Sequence, residues 1–145
     1  MEKCAYSLKT TRVKEPDFPY EGQSITCTTE LLSFAKSLWD SDIEKFLAIY
    51  LDARNKVVCV QVMGGTVNQA VVYPREILKH AILTGACALI LCHNHPSGEV
   101  KPSEADIRQT KIVQETAKVL DILVHDHVII GDDKSFSFWE NGMMS

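Results

Sequence analysis

Residues 86–106 read ACALILCHNHPSGEVKPSEAD, and the first seven, Ala86 to Cys92, form an unbroken apolar run. Continuous apolarity over that length predicts a strand buried on both faces, at the centre of a sheet with helices packed on either side. A polar loop from His93 to Pro102 leaves the carboxyl end of this strand, and an apolar stripe of Ile107, Ile112, Val113, Ala117 and Leu120 predicts a helix from Ser103 to Leu120. In sheets of this kind ligands gather at the carboxyl ends of central strands, so the loop opening at His93 is the candidate site.

Working outward, Ile122 to Ile130 reads as the strand after that helix, followed by a turn at Gly131 to Lys134 and a last short strand, Ser135 to Phe138. Before the central strand, Pro74 suits the first turn of a helix with Ile77, Leu78, Ala81 and Ile82, and Gly85 suits its end. Lys45 to Leu51 and Val57 to Met63, joined through the polar segment 52–56, read as a hairpin, and Val67 to Tyr73 as a further short strand. Leu31, Leu32, Phe34, Ala35 and Leu38 follow helical spacing after Thr28 or Thr29, which predicts a helix ending near Asp40. Residues 1–24 mix Lys, Pro, Gly and Thr and read as an N-terminal arm with an edge strand at Ala5 to Lys9, ahead of a domain over 25–145. Hairpins combined with a β-α-β crossover predict an α/β fold, a mixed β-sheet with helices on both faces.

Composition narrows the function. A chain of 145 residues and 16.2 kDa suits one domain. With 15 Lys and Arg against 19 Asp and Glu, the formal charge is −4, which does not suit a broadly basic nucleic-acid surface. The seven-residue run is too short to span a bilayer, and the charges scattered through MEKCAYSLKTTRVKE do not make a signal peptide, so the expected location is the cytoplasm, with no membrane partner. Five cysteines, Cys4, Cys27, Cys59, Cys87 and Cys92, are odd in number and contain no C-x-x-C pair; they read as reduced thiols, with Cys59, Cys87 and Cys92 as inert members of apolar strands.

The loop reads H-x-H-x7-S-x2-D, with His93, His95, Ser103 and Asp106 at the lettered positions. Side chains at i and i+2 of an extended backbone point the same way, so both imidazoles can face one metal ion while Asp106 returns from the first turn of the next helix. Two His and one Asp make a three-ligand Zn2+ site with a fourth position open to water, whose pKa zinc lowers to roughly 7. Ser103-x-x-Asp106 is equally a capping pair ahead of a helix, and the two readings are compatible. H-x-H alone is weak, because His125-Asp126-His127 repeats it in an expected strand.

With these residues in hand, the chain resembles the JAMM (MPN-domain, JAB-like) zinc metalloproteins, and more closely the bacterial RadC family. The narrower resemblance rests on residues 65–68 (GTVN), 73–76 (YPRE), 93–98 (HNHPSG), 102–106 (PSEAD), Asp126-His127 and the segment from Ser135 to Gly142. It implies a three-layer α/β/α sandwich related to cytidine deaminases, zinc held by His93, His95 and Asp106, and an upstream Glu as general base. By position that residue is Glu44, with Glu76 as the competitor and with Glu99 and Glu104 read as solvated. Ser103 would then donate to an oxyanion, and His127 either supports the site from behind or is a histidine satisfied within its strand. His80 and His125 are read as surface or satisfied histidines.

The implied activity is a metallohydrolase acting on an amide, peptide or isopeptide bond. The other function class is a DNA-repair-associated binding module whose metal is structural, with Arg54, Lys56, Arg75 and Lys79 as its basic cluster. Longer RadC proteins carry an N-terminal helix-hairpin-helix region that the roughly 25 residues before the resemblance do not hold, so a stand-alone form with little support for DNA contact is expected. Deamination is set aside because the P-C-x-x-C zinc pair is lacking.

Overall fold

A computed structural model describes residues 22–36, 43–64 and 73–145 of the chain. The expected edge strand at 5–9, the end of the first helix at 37–40 and nearly all of the expected strand at 67–73 lie outside the described residues. In order the elements are α1 (Thr28–Lys36), β1 (Lys45–Leu51), β2 (Val57–Gly64), α2 (Pro74–Thr84), β3 (Ala88–Asn94), α3 (Glu104–Val119), β4 (Leu123–Ile130) and β5 (Ser135–Ser137).

The strands form one sheet in the order β2-β1-β3-β4-β5. β1 lies between β2 and β3 and is antiparallel to both, β3 and β4 run parallel through the α3 crossover, and β5 turns back along β4. Alternation along the strands sorts the core into two layers. Leu47, Ile49 and Leu51 of β1 join Ala88, Ile90 and Cys92 of β3 under Leu31, Phe34 and Ala35 of α1. Phe46, Ala48 and Tyr50 join Leu89 and Leu91 under Ile77, Leu78 and Ala81 of α2 and Val113 and Ala117 of α3. The result is the three-layer α/β/α arrangement around a mixed sheet. Burying each such Leu or Ile fully contributes roughly 1.5–3 kcal/mol, and every residue of β3 is buried.

Several local details differ from the expectation. β3 begins at Ala88 and runs through His93 and Asn94, so the loop opens at His95. His93 and Asn94 extend the strand because its end is covered by the rest of the site: His93 is only 2% exposed and Asn94 4%. Cys87, left outside the strand, is exposed, while Cys92 is fully buried and its burial pushes the thiol pKa far up. On α3 the buried face is Thr110, Val113 and Ala117, whereas Ile107, Ile112 and Leu120 are exposed; the helix turns its small and polar residues toward the sheet. On α2, Ile82 is likewise exposed. That helix ends as expected, with Gly85 in the left-handed conformation at φ 66° and its N–H donating to the Ile82 carbonyl at 3.1 Å.

Candidate metal centre

The site sits where β1, β3, β4 and the start of α3 meet. His93 ends the layer that Leu89 and Leu91 begin, so its ring points to the α3 side of the sheet, and His95, two residues on, turns the same way. Their Nε2 atoms lie 2.9 Å apart. One Asp106 carboxylate oxygen lies 3.4 Å from His93 Nε2 and the other 3.4 Å from His95 Nε2. Glu44, immediately before β1, completes a group in which one ligand atom each from Glu44, His93 and His95 lies within 4.8 Å of the others.

Asp106 serves two purposes at once. Ser103 is the N-cap of α3: its Oγ accepts from the Asp106 N–H at 3.0 Å, and the Ser103 N–H donates to Asp106 Oδ2 at 2.8 Å. This reciprocal capping box holds the carboxylate against the two imidazoles. The cap uses an oxygen lone pair of Ser103 and leaves its proton for another acceptor. Burial alone would raise the Asp106 pKa, but the adjoining His93 and His95 rings and the Ser103 N–H outweigh it and hold the group well below the ordinary carboxylate range. The neighbouring Asp106 carboxylate in turn raises the pKa of His95.

The loop and its neighbours position each ligand. His95 Nδ1 lies 2.8 Å from the Glu99 carbonyl, which can only accept, so in a neutral ring Nδ1 carries the proton and Nε2 turns a lone pair into the site. Gly98 adopts φ +80°, and its N–H donates to the His95 carbonyl at 2.9 Å, folding the loop back on itself. Asn94 grips both sides of Glu44: its Oδ1 accepts from the Lys45 N–H at 2.7 Å and its Nδ2 donates to the Ile43 carbonyl at 3.1 Å. Behind His93, its Nδ1 lies 2.7 Å from Nε2 of His127, a ring 1% exposed that stacks on Phe138 and meets the edge of Phe46. His127 therefore backs the site, the first of its two expected readings.

The donors suit a metal ion. Two imidazole nitrogens beside a carboxylate, with a second carboxylate within reach, are of the nitrogen and oxygen types that zinc takes, and the two Nε2 atoms converge to 2.9 Å. Glu76, the competitor to Glu44, instead sits in the first turn of α2, paired with Lys79 at 3.1 Å and Arg75 at 3.6 Å. Those pairs also occupy two of the four cations of the expected basic cluster. The Glu99 side chain is exposed and Glu104 pairs with Arg108 on the helix surface, as solvated residues do. His80 Nδ1 lies 2.8 Å from the Glu76 carbonyl, and His125 Nε2 lies 2.9 Å from Asn55 Oδ1; both are satisfied away from the cluster. Sequence reasoning missed Asn94, Thr110 and the Glu99 carbonyl. Only Asn94, inside H-N-H, stood near enough to a motif to have been weighed.

A three-layer α/β/α fold with a His-His-carboxylate cluster at the end of its central strand defines a metal-binding domain of the JAB type. The chain belongs to the RadC family: the model of the RadC-like JAB domain matches residues 25–143. It is 43% identical over 103 residues to a UPF0758 protein of Stenotrophomonas maltophilia, covering 70% of this chain and 44% of that protein. A UPF0758 protein of Pseudomonas fluorescens is 44% identical over 102 residues, 70% of this chain and 46% of the relative. One from Photobacterium profundum is 40% identical over 126 residues, 86% of this chain and 56% of the relative. The chain thus spans about half the length of the curated relatives it matches. Among the described residues no helix is long and apolar enough to cross a membrane.

Proposed function

We propose that the chain is a zinc-dependent metallohydrolase that cleaves an amide bond, peptide or isopeptide, with His93, His95 and Asp106 as its zinc-holding set. The observation that carries this reading is the convergence of both Nε2 atoms and the Asp106 carboxylate within 3.4 Å of one another. Bound zinc supplies Lewis acidity that brings the pKa of a water down to roughly 7. The Glu44 carboxylate is the general base: it takes a proton from the attacking water and returns it to the departing amine nitrogen. Asn94 keeps that carboxylate in place through the backbone on either side. Ser103, with its proton not consumed by the cap, donates to the oxyanion that develops on the substrate carbonyl. Five cysteines, odd in number and without a C-x-x-C pair, are in keeping with a reducing, cytoplasmic setting.

The test is a screen of zinc-loaded protein against peptide and isopeptide substrates, with Glu44→Gln and Glu76→Gln alongside. Turnover that Glu44→Gln abolishes with zinc retained, and that Glu76→Gln leaves intact, supports the assignment. Equal turnover in Glu44→Gln removes Glu44 as the base. No turnover from zinc-loaded protein, together with a shift of branched or single-stranded DNA that survives moderate salt, would favour the binding-module reading.

A further inference from the structure

Three contacts link His93 to α3. His93 Nδ1 lies 2.7 Å from His127 Nε2, His127 Nδ1 lies 2.6 Å from Thr110 Oγ1, and Thr110 Oγ1 donates to the Asp106 carbonyl at 2.7 Å. Thr110 is 2% exposed and His127 1%, so water does not offer alternative partners.

A hydroxyl has one proton, and a carbonyl has none. With the Thr110 proton directed to the Asp106 carbonyl, Thr110 Oγ1 can only accept from His127, so His127 Nδ1 is protonated. A neutral imidazole carries one N–H, which leaves His127 Nε2 as an acceptor and His93 Nδ1 as its donor. His93 Nε2 is then bare and faces His95 and Asp106. The reverse order of donors would put the Thr110 oxygen against the Asp106 carbonyl oxygen at 2.7 Å with no proton between them, and would cap His93 Nε2 with hydrogen. The His127 ring is 1% exposed and its two hydrogen-bond partners, His93 and Thr110, carry no negative charge, which suits the neutral ring that this order of donors requires.

We propose that Thr110 and His127 are positioning residues that hold His93 in the Nδ1–H form, keeping its Nε2 lone pair available to a metal ion. This rests on the metal-centre reading above and adds two residues to it. The hydroxyl sits one helical turn after Asp106, so the helix that presents the carboxylate also sets the protonation of the imidazole opposite it. A neutral histidine as the outer partner orients the ring without placing a second negative charge behind it, and it needs Thr110 because a histidine, unlike a carboxylate, can itself turn its proton the wrong way.

The test has two arms. Nitrogen-15 NMR of histidine-labelled, metal-free protein at about pH 7.5 is expected to show His93 and His127 both protonated at Nδ1; a His93 Nδ1 without a proton overturns the proposal without reference to any variant. Zinc affinity, measured by competition with a chromophoric chelator, is expected to fall 10- to 100-fold in Thr110→Val, which keeps the shape and removes the hydroxyl, and to recover in Thr110→Ser. Equal affinity in Thr110→Val, or no recovery in Thr110→Ser, also overturns it. Wild-type protein that takes up no zinc overturns the metal-centre reading itself, and the metal-free NMR separates that failure from a failure of the chain of hydrogen bonds.

Discussion

Asn94 at the end of β3 fastens Lys45 at the start of β1: its side-chain Oδ1 accepts the Lys45 N–H at 2.7 Å, while its Nδ2 donates to the Ile43 carbonyl one residue before Glu44. One amide thus spans the backbone on both sides of the proposed general base. It does so from the residue between the two histidines.

Asn94→Ala should therefore uncouple the proposed base from the proposed metal ligands. Both backbone groups lose a partner in a part-buried setting, which costs about 1 kcal/mol. The expected outcome is a lower melting temperature and reduced turnover, with zinc content unchanged. Wild-type turnover in Asn94→Ala would show that the clamp does not position Glu44.

Ser103 has two proposed uses that substitution can separate. Asp is as good an N-cap as Ser, while Ala loses about 1 kcal/mol at that position. Ser103→Asp, which caps the helix but has no proton to donate, should melt close to wild type and lose roughly 10²–10³-fold in turnover, the magnitude seen when one oxyanion donor is removed. Ser103→Ala should lose both. If Ser103→Asp turns over like wild type, the residue is a helix cap alone.

Gly131, after β4, is required by its neighbour more than by its own backbone. A Cβ there would lie 2.4 Å from the Gly98 carbonyl oxygen and 2.9 Å from Val100 Cγ1. Gly131→Ala must push the 95–99 turn aside, at a cost of roughly 1–3 kcal/mol. Because that turn carries the His95 ring and the Glu99 carbonyl that holds it, zinc affinity should fall along with the melting temperature. An unchanged melting temperature would mean that the loop yields freely.

The layers of the fold were legible because burial leaves a direct trace in sequence. Ala86 to Cys92 marked the central strand, Gly85 marked the end of α2, and Ser103 with Asp106 marked the start of α3. The error at β3 has a physical cause: apolarity stops at Cys92, but the strand goes on for two polar residues because other polar residues cover them. The same holds on α3, where Ile107 and Ile112 suggested a buried stripe and the sheet instead receives Thr110, Val113 and Ala117. His93, His95 and Asp106 were readable from spacing alone, since an extended chain and a helix cap fix their directions. Glu44 came only from resemblance, and Thr110, Asn94 and the Glu99 carbonyl act through contacts between distant or backbone groups that no local pattern records.

The central claim is that His93, His95 and Asp106 hold zinc, and metal content measures it most directly. Mass-spectrometric metal analysis of untagged protein, beside Asp106→Ala and with thermal melts in chelator and in added zinc, should give about one zinc per chain in wild type, loss in the variant and a melting temperature that rises with zinc. A folded wild-type protein with no bound metal and no zinc-dependent shift would contradict the account, and would leave Ser103 and Asp106 as a helix cap.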